Sequence, residues 1–479
     1  MTHEDLDQLL ARRDFLRQCA GGIGTMALAR LLSVEGRSAV PQQPHVNPLR
    51  FRPGHFEAKA RSVIVLFMLG GPSHIDLYDP KPALQRWHGS ALPESLTKDL
   101  KLAFIKPSAK VLASGRQFKP CGRSGIELSD YLPHLASCAD DICLIRSMHT
   151  EAFNHHPAQS LLMSGTTQFG RPTIGSWATY GLGCESESLP AFVVLASGDS
   201  VSSAGSNNWS CGFLPSTYQG VPFANAGDPV PYLSNLPGVS RTMQRDRLEA
   251  IRKMNELHQR EIGDLEIASR IYSYELAFRM QAAAPELLDL SKESAATLTM
   301  YGVNQEPTHA YGANCLLARR MVERGVRFVM LTHGNWDDHA NIDKRLKKNC
   351  DITDRPTAAL LKDLKQRGLL ESTLVVWGGE FGRTPMGELE RLEEPAGRDH
   401  HPNCFSMWLA GGGIRPGQVI GKTDEMGLNV AEDGVHVHDL QATLLHCLGL
   451  DHKRLTYRHM GRDFRLTDVG GEVIRKALV

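Results

Sequence analysis

An excess of charge of either sign is what this sequence most plainly lacks. Lys plus Arg number 53, Asp plus Glu also number 53, and the formal net charge is zero. Nucleic-acid and membrane-surface binders usually carry a basic excess or patch, so neither partner is indicated. CxxC pairs and zinc-finger spacings are missing too, although the chain holds 10 cysteines. A chain this long needs no disulfide framework. Most of the cysteines read as small buried apolar residues, with room for one or two disulfides in an exported protein. No internal repeat is visible. The weakly apolar stretch near the N-terminus is interrupted by Arg30, so it makes no stable membrane span.

What is there is ordinary in bulk and unusual in detail. The 479 residues can bury a large core, and the 42% hydrophobic and 22% charged content is that of a soluble globular protein. Histidine is plentiful at 20, and many histidines sit beside Asp, Gly or Pro in loop-like stretches.

Residues 11–17 read ARRDFLR and are followed by QCAGGIGTMALARLL. Paired Arg12-Arg13, then Phe15-Leu16 and a short Gly/Ala-rich apolar stretch, match a twin-arginine (Tat) export signal; an amphipathic first helix is the plainer alternative. Residues 1–40 are expected to be the signal, with cleavage near Ala39, and residues 41–58 a linker. The Tat translocon is then the export partner, and the mature protein is periplasmic or secreted.

Beyond residue 60, short apolar runs rich in β-branched and aromatic residues alternate with helical periodicity. The runs are 62–69, 142–148, 191–196, 326–332, 373–378 and 405–410. Wholly apolar runs suit strands covered on both faces. Helices are expected at 244–282, 311–324, 356–369 and 438–449, the last with Asp439 as N-cap. The expectation is an α/β layered domain at 59–466 with a mainly parallel sheet and helices on both faces. The 198–240 segment is expected to be a long loop or lid, 244–282 a peripheral helix and 467–479 a tail.

Parallel α/β sheets carry their chemistry beyond the C-terminal ends of the strands. The segments there are GGPSHIDLYDPKP, HTEAFNHHPAQSLLMSG, HGNWDDHANI and GEFGRTP, and GRDHHPN precedes the run at 405. All five put Asp, Glu or His beside Gly. Such groups are costly to bury alone, so five together predict a convergent polar site, with carboxylate and imidazole ligands for a divalent metal.

In order, GGPSHID, NHHPAQSLLMSG, NWDDH, VVWGGEFGRTP, GRDHHPN and HDLQATLLHCLGL resemble the Tat-exported, sulfatase-like proteins called domain of unknown function 1501, relatives of the alkaline phosphatase superfamily. The resemblance runs from about residue 60 to residue 465 and implies an alkaline-phosphatase-like α/β fold. It also implies descent from metal-dependent hydrolases of sulfate or phosphate esters. The superfamily's active centre is altered here. Gly70-Gly71 stands where sulfatases carry paired aspartates, His155 at the nucleophile position, and Glu380-Phe381 where they carry Asp and His.

Asp337 and His339 follow a strand as the superfamily's Asp/His metal ligands do, and His400 or His401 would match its final histidine. With Glu380 and Asp76 these form the expected metal set, for one or two divalent ions (Zn, Mn, Fe or Ca). The alternatives are a capped polar turn at 337–339, a surface loop at 400–401 and a Glu380–Arg383 ion pair. His155 is assigned as base or covalent nucleophile and Arg383 as the clamp on developing negative charge. His74 and His156 are assigned to substrate binding, beside glycine N–H groups and a helix start that favour anions. Asp79 reads as a turn residue, and Asp399 as a further polar neighbour. The expected activity is hydrolysis of a small-molecule or glycan sulfate or phosphate ester. The competing reading is a catalytically silent relative that binds an anionic glycan or a protein partner.

Overall fold

The structure, a computed structural model, describes residues 47–98, 100, 102–198, 204–224, 230–231, 233–388 and 395–479. The twin-arginine segment and most of the expected linker lie outside the described residues.

Each of the six apolar runs forms a strand of one sheet. In chain order the strands are β1 (Ser62–Met68), β2 (Ile142–His149), β3 (Phe192–Ser197), β4 (Val221–Phe223), β5 (Phe328–His333) and β6 (Thr373–Gly378). A hairpin of β7 (Gly382–Gly387) and β8 (Arg398–His401) intervenes before β9 (Phe405–Ala410), β10 (Gln418–Ile420) and β11 (Val435–His436). The sheet order is β10–β2–β9–β6–β1–β5–β3–β4, with β11 beside β2. Only β9 runs antiparallel to its neighbours. All residues of β1, β5 and β6 are buried, which is why these runs show no polar alternation.

Register decides where the chemistry goes. Met68 pairs with His333, and Phe67 pairs with Gly378. The chain therefore leaves β1, β5 and β6 at one edge, and segments 69–73, 334–339 and 379–381 emerge side by side. The helix that follows β2, α1 (His155–Ser164), is seated against this edge through His155.

Several helices differ from expectation for identifiable reasons. The single helix expected at 244–282 is two, α2 (Arg241–Ile262) and α3 (Leu265–Leu288). Gly263 closes the first in the left-handed region, φ 72°, and the Asp264 side chain caps the second by accepting from Glu266 N. α4 (His309–Glu323) lies as expected. α5 (Ile342–Gln366) starts well before Pro356, because Leu346, Cys350 and Thr353 continue its buried face upstream. In α6 (Val437–Cys447) the cap is His436, not Asp439; Asp439 sits three residues on and accepts from His436 N at 2.9 Å.

The 198–240 segment is partly described, and it supplies the edge strand β4. The expected tail folds back onto the body, where Arg415 N donates to Ala477 O and Val479 N to Gly413 O. The nine described cysteines are all unpaired, and eight are buried. No described helix is long and apolar enough to cross a membrane.

Candidate metal centre

The chain after β5 turns sharply. Asn335 takes φ 73°, Trp336 is buried, and Asp337 emerges with 43% of its side chain exposed. This turn presses on the chain after β1, since a Cβ on Gly70 would lie 2.5 Å from Asp337 N. Gly70 also adopts φ 119°. Two backbones in contact leave no volume for a side chain there, which is why glycine stands at the tip of β1.

Asp337 Oδ1 is the focus of the site. His339 Nε2 lies 2.9 Å away, His155 Nε2 3.1 Å and His400 Nε2 3.3 Å. His339 Nε2 and His400 Nε2 are only 3.1 Å apart. One ligand atom from each of His155, Asp337, His339 and His400 falls within a 4.8 Å span. Every other ring nitrogen is committed away from the centre. His155 Nδ1 meets Glu380 Oε1 at 2.7 Å, His339 Nδ1 meets Glu388, and His400 Nδ1 meets Phe153 O at 2.8 Å. A ring that donates Nδ1–H outward turns its Nε2 lone pair inward. Four such atoms this close need positive charge among them, supplied by a bound cation or, without one, by protons on His155 and His339, whose pKa values Asp337 raises against the opposing effect of burial. An outer acceptor behind each histidine is also the usual arrangement around a bound metal. The donor set therefore fits a divalent cation, with Asp337 on the solvent-open side.

Titration follows the same crowding. Burial raises the Asp337 carboxyl, but its contacts with the three imidazoles and Arg383 hold it well below the usual range. Burial lowers His155, yet Asp337 and Glu380 outweigh it and carry its pKa up to about 9. His400, more deeply buried and near Arg383, is lowered. The adjacent Asp338 is pushed up to about 6 by burial, and Arg345 binds it at 3.0 Å. Only Asp337 of the pair sits in the cluster.

The structure departs from the sequence reading at several residues. Glu380 is fully buried, and its Oε1 is taken by His155 Nδ1, Gly70 N at 3.1 Å and Gln159 Nε2 at 3.1 Å. It stands behind a ligand rather than serving as one. Arg383, also fully buried, donates Nε to Gly71 O at 2.9 Å, Nη1 to Arg398 O at 2.9 Å and Nη2 to Gly70 O and to Asp337 at 2.6 Å. It holds the loops and Asp337, and is no clamp for an incoming anion. Asp76 is bound by Arg398 at 2.8 Å and by the Ser73 hydroxyl at 2.5 Å, and it joins neither group of candidate metal ligands among the described residues. His401 donates Nε2–H to Leu428 O at 2.8 Å. His74 is buried with Nε2 3.7 Å from Cys404 Sγ. His156 turns to the Phe169 ring, 4.4 Å between centroids. Asp79 pairs with Lys81 and accepts from Thr423. His155 joins the cluster through a nitrogen, so its geometry is that of a ligand.

Sequence reasoning missed Glu388, Gln159 and the Phe153 carbonyl. Glu388 directly follows β7 and Glu380 precedes it, so the length of that strand separates them, and Glu388 comes behind His339 where its N–H meets Gly397 O at 3.1 Å. A second acidic group, His339, Glu388 and Asp399, lies nearby. Its oxygens are already engaged: Glu388 holds His339, and Asp399 accepts from Ala103, Phe104, Ile105 and His400 N. Among the described residues the geometry favours a single metal position.

The chain belongs to the family described as "Protein of unknown function (DUF1501)", which matches residues 60–478. No curated protein matches it. Similar solved structures include the lipoteichoic acid synthase LtaP from Listeria monocytogenes, at 9% identity, 90% of this chain, 80% of that one and TM-score 0.38. Alkaline phosphatase from the Antarctic bacterium TAB5 matches at 10% identity, 74% and 92% coverage and TM-score 0.30. PsFucS1 sulfatase from Pseudoalteromonas sp. matches at 12% identity, 82% and 68% coverage and TM-score 0.33.

Proposed function

We propose that the protein is a metal-dependent hydrolase of sulfate or phosphate esters, exported through the Tat translocon to the periplasm or beyond. One observation carries the reading: three imidazole Nε2 atoms converge on Asp337 Oδ1 while each Nδ1 is held from behind. His155, Asp337, His339 and His400 would hold one divalent ion. A nitrogen-rich set suits Zn, Fe or Mn better than Ca, which prefers oxygen ligands. When bound, such an ion supplies Lewis acidity toward an ester oxygen and acidifies water at neutral pH.

The remaining work falls to the chain. Glu380 fixes the tautomer and plane of His155 and is itself fixed by Gly70 N and Gln159. Gln159 in turn accepts from Ala204 N and Asn208, tying the 204–208 turn to the same carboxylate. Arg383 holds Asp337 in place from the protein side. His155 and His156 open α1, so the positive end of that helix meets the cluster and favours an anionic substrate.

Elemental mass spectrometry on protein exported natively and never exposed to chelator tests the assignment. The expected result is about one transition-metal ion per chain, lost in Asp337→Ala and His155→Ala, with ester turnover lost in parallel. Folded wild type without metal overturns it. The silent, anion-binding reading has one observation of its own. The superfamily's nucleophile position holds His155, and both its nitrogens are engaged. Stoichiometric metal with no turnover across sulfate and phosphate esters would favour that reading.

A further inference from the structure

Asp399 is fully buried, yet it reaches a surface loop. Its Oδ2 accepts from three consecutive backbone N–H groups, those of Ala103, Phe104 and Ile105, at 3.1, 2.8 and 3.2 Å. Its Oδ1 accepts from His400 N at 2.8 Å. One carboxylate thus ties the loop to the backbone that bears a cluster histidine. The residue held at the centre of this grip is Phe104. Its ring stands edge-on to His339 (5.5 Å, 77°) and His400 (5.4 Å, 74°), and the side chain is 59% exposed. Phe153, whose carbonyl holds His400, is 38% exposed.

A phenylalanine left this exposed adds little to folding, because most of its apolar area stays in water. Four N–H donors compensate the burial of Asp399, and three of them are consecutive, so the carboxylate fixes the backbone that carries Phe104. A ring this exposed and within 5.5 Å of two cluster imidazoles leaves apolar aromatic surface next to His339 and His400, where a substrate of the cluster would pass.

The geometry points to Phe104 as a specificity determinant: an apolar wall selecting esters whose leaving group carries a planar aromatic or apolar face. Asp399 is its positioning residue. This inference rests on the ester-hydrolase reading and narrows its substrate class.

The test is equilibrium binding by calorimetry to zinc-loaded protein, with phenylphosphonate and methylphosphonate as non-hydrolysable probes. Wild type is expected to prefer the phenyl probe by roughly tenfold, the scale of one aromatic contact. Phe104→Ala is expected to bring the two affinities together by weakening only the phenyl probe, with metal content unchanged; Phe104→Trp is expected to keep the preference. Equal binding of both probes by wild type, or a preference that survives Phe104→Ala, overturns the inference and leaves the hydrolase reading standing. A Phe104→Ala variant that weakens both probes equally, or loses metal, also overturns it, since Phe104 would then merely support the cluster. Binding of neither probe by metal-replete wild type overturns both the inference and the ester site.

Discussion

Two regions of this protein bury several ionisable groups, and they are built on opposite rules. Beneath the helices, Arg319 meets Glu293 at 2.8 Å, Glu323 at 2.6 Å and Asp363 at 3.0 Å. Arg320 shares Glu293, Arg367 shares Asp363, and the Tyr301 hydroxyl donates to Asp363 at 3.0 Å. Cations and carboxylates alternate there, so the network satisfies itself. At the sheet edge three imidazoles face one carboxylate oxygen, and two of their nitrogens lie 3.1 Å apart. The first arrangement joins α4 to α5; the second gathers three imidazoles and Arg383 on one carboxylate, a donor set that a cation could take over from the protons on His155 and His339. Burial and charge density alone do not separate a structural network from a functional site. The pairing pattern does.

Breaking one group in each region should give opposite outcomes, and this is the largest expected effect. Asp363→Ala removes the carboxylate shared by Arg319, Arg367 and the Tyr301 hydroxyl; Arg319 keeps Glu293 and Glu323, but each buried donor left unsatisfied costs about 1–3 kcal/mol. The variant's denaturant midpoint should fall steeply while metal content holds. His339→Ala should weight the effects the other way: metal affinity drops by more than roughly 100-fold, which outer partners alone can reach, while metal-free stability falls less than in Asp363→Ala, because His339 is partly exposed and its removal takes one contact from Glu388 behind it. A His339→Ala variant that destabilises the metal-free protein as much as Asp363→Ala does would erase the distinction.

A finer test lies behind the ligands. Glu380→Gln keeps an acceptor for Gly70 N but removes the charge that orients His155. Competition with a chelator should show metal affinity lower by about 10–100-fold, with the fold intact. Unchanged affinity would make Glu380 a structural residue only.

Which parts of this were legible in the sequence follows from what each part depends on. The strands were readable because burial on both faces leaves long apolar runs such as 62–68 and 373–378. The regions of the site were readable too, because parallel strands deliver their loops to one edge. Individual roles were not. Glu380 and Asp337 look alike as carboxylates after a strand, and only the packing of Gly70 against Asp337 sends one behind His155 and the other into the open. Arg383 reads as an anion clamp until its donors are counted against Gly70, Gly71 and Arg398. Asp264 and Gly263 did carry a local signal for the break between α2 and α3, overridden by the periodicity around it. His401 and His400, adjacent in sequence, point to opposite sides of β8, as the two-residue period of a strand requires.

The smallest effect concerns a histidine that belongs to neither region. His74 is fully buried, its Nδ1 has no hydrogen-bond partner, and its Nε2 is 3.7 Å from Cys404 Sγ. Burial drives its pKa well below 6.5, and His401, Lys81 and Arg398 push the same way against the weaker pull of Asp76. Above pH 6.5 the ring is neutral in both the folded and unfolded chain and contributes no pH dependence. Below pH 6.5 the unfolded chain takes up a proton that the folded chain refuses, so stability falls as pH drops. A difference of one proton carries a slope of at most about 1.36 kcal/mol per pH unit. Urea titrations from pH 7.5 to pH 5 on wild type and His74→Gln should therefore diverge only on the acid side, with the variant losing stability less steeply. Parallel curves would mean that His74 takes up its proton inside the fold. Its isolation from the Asp337 cluster would then count for less than its neighbours imply.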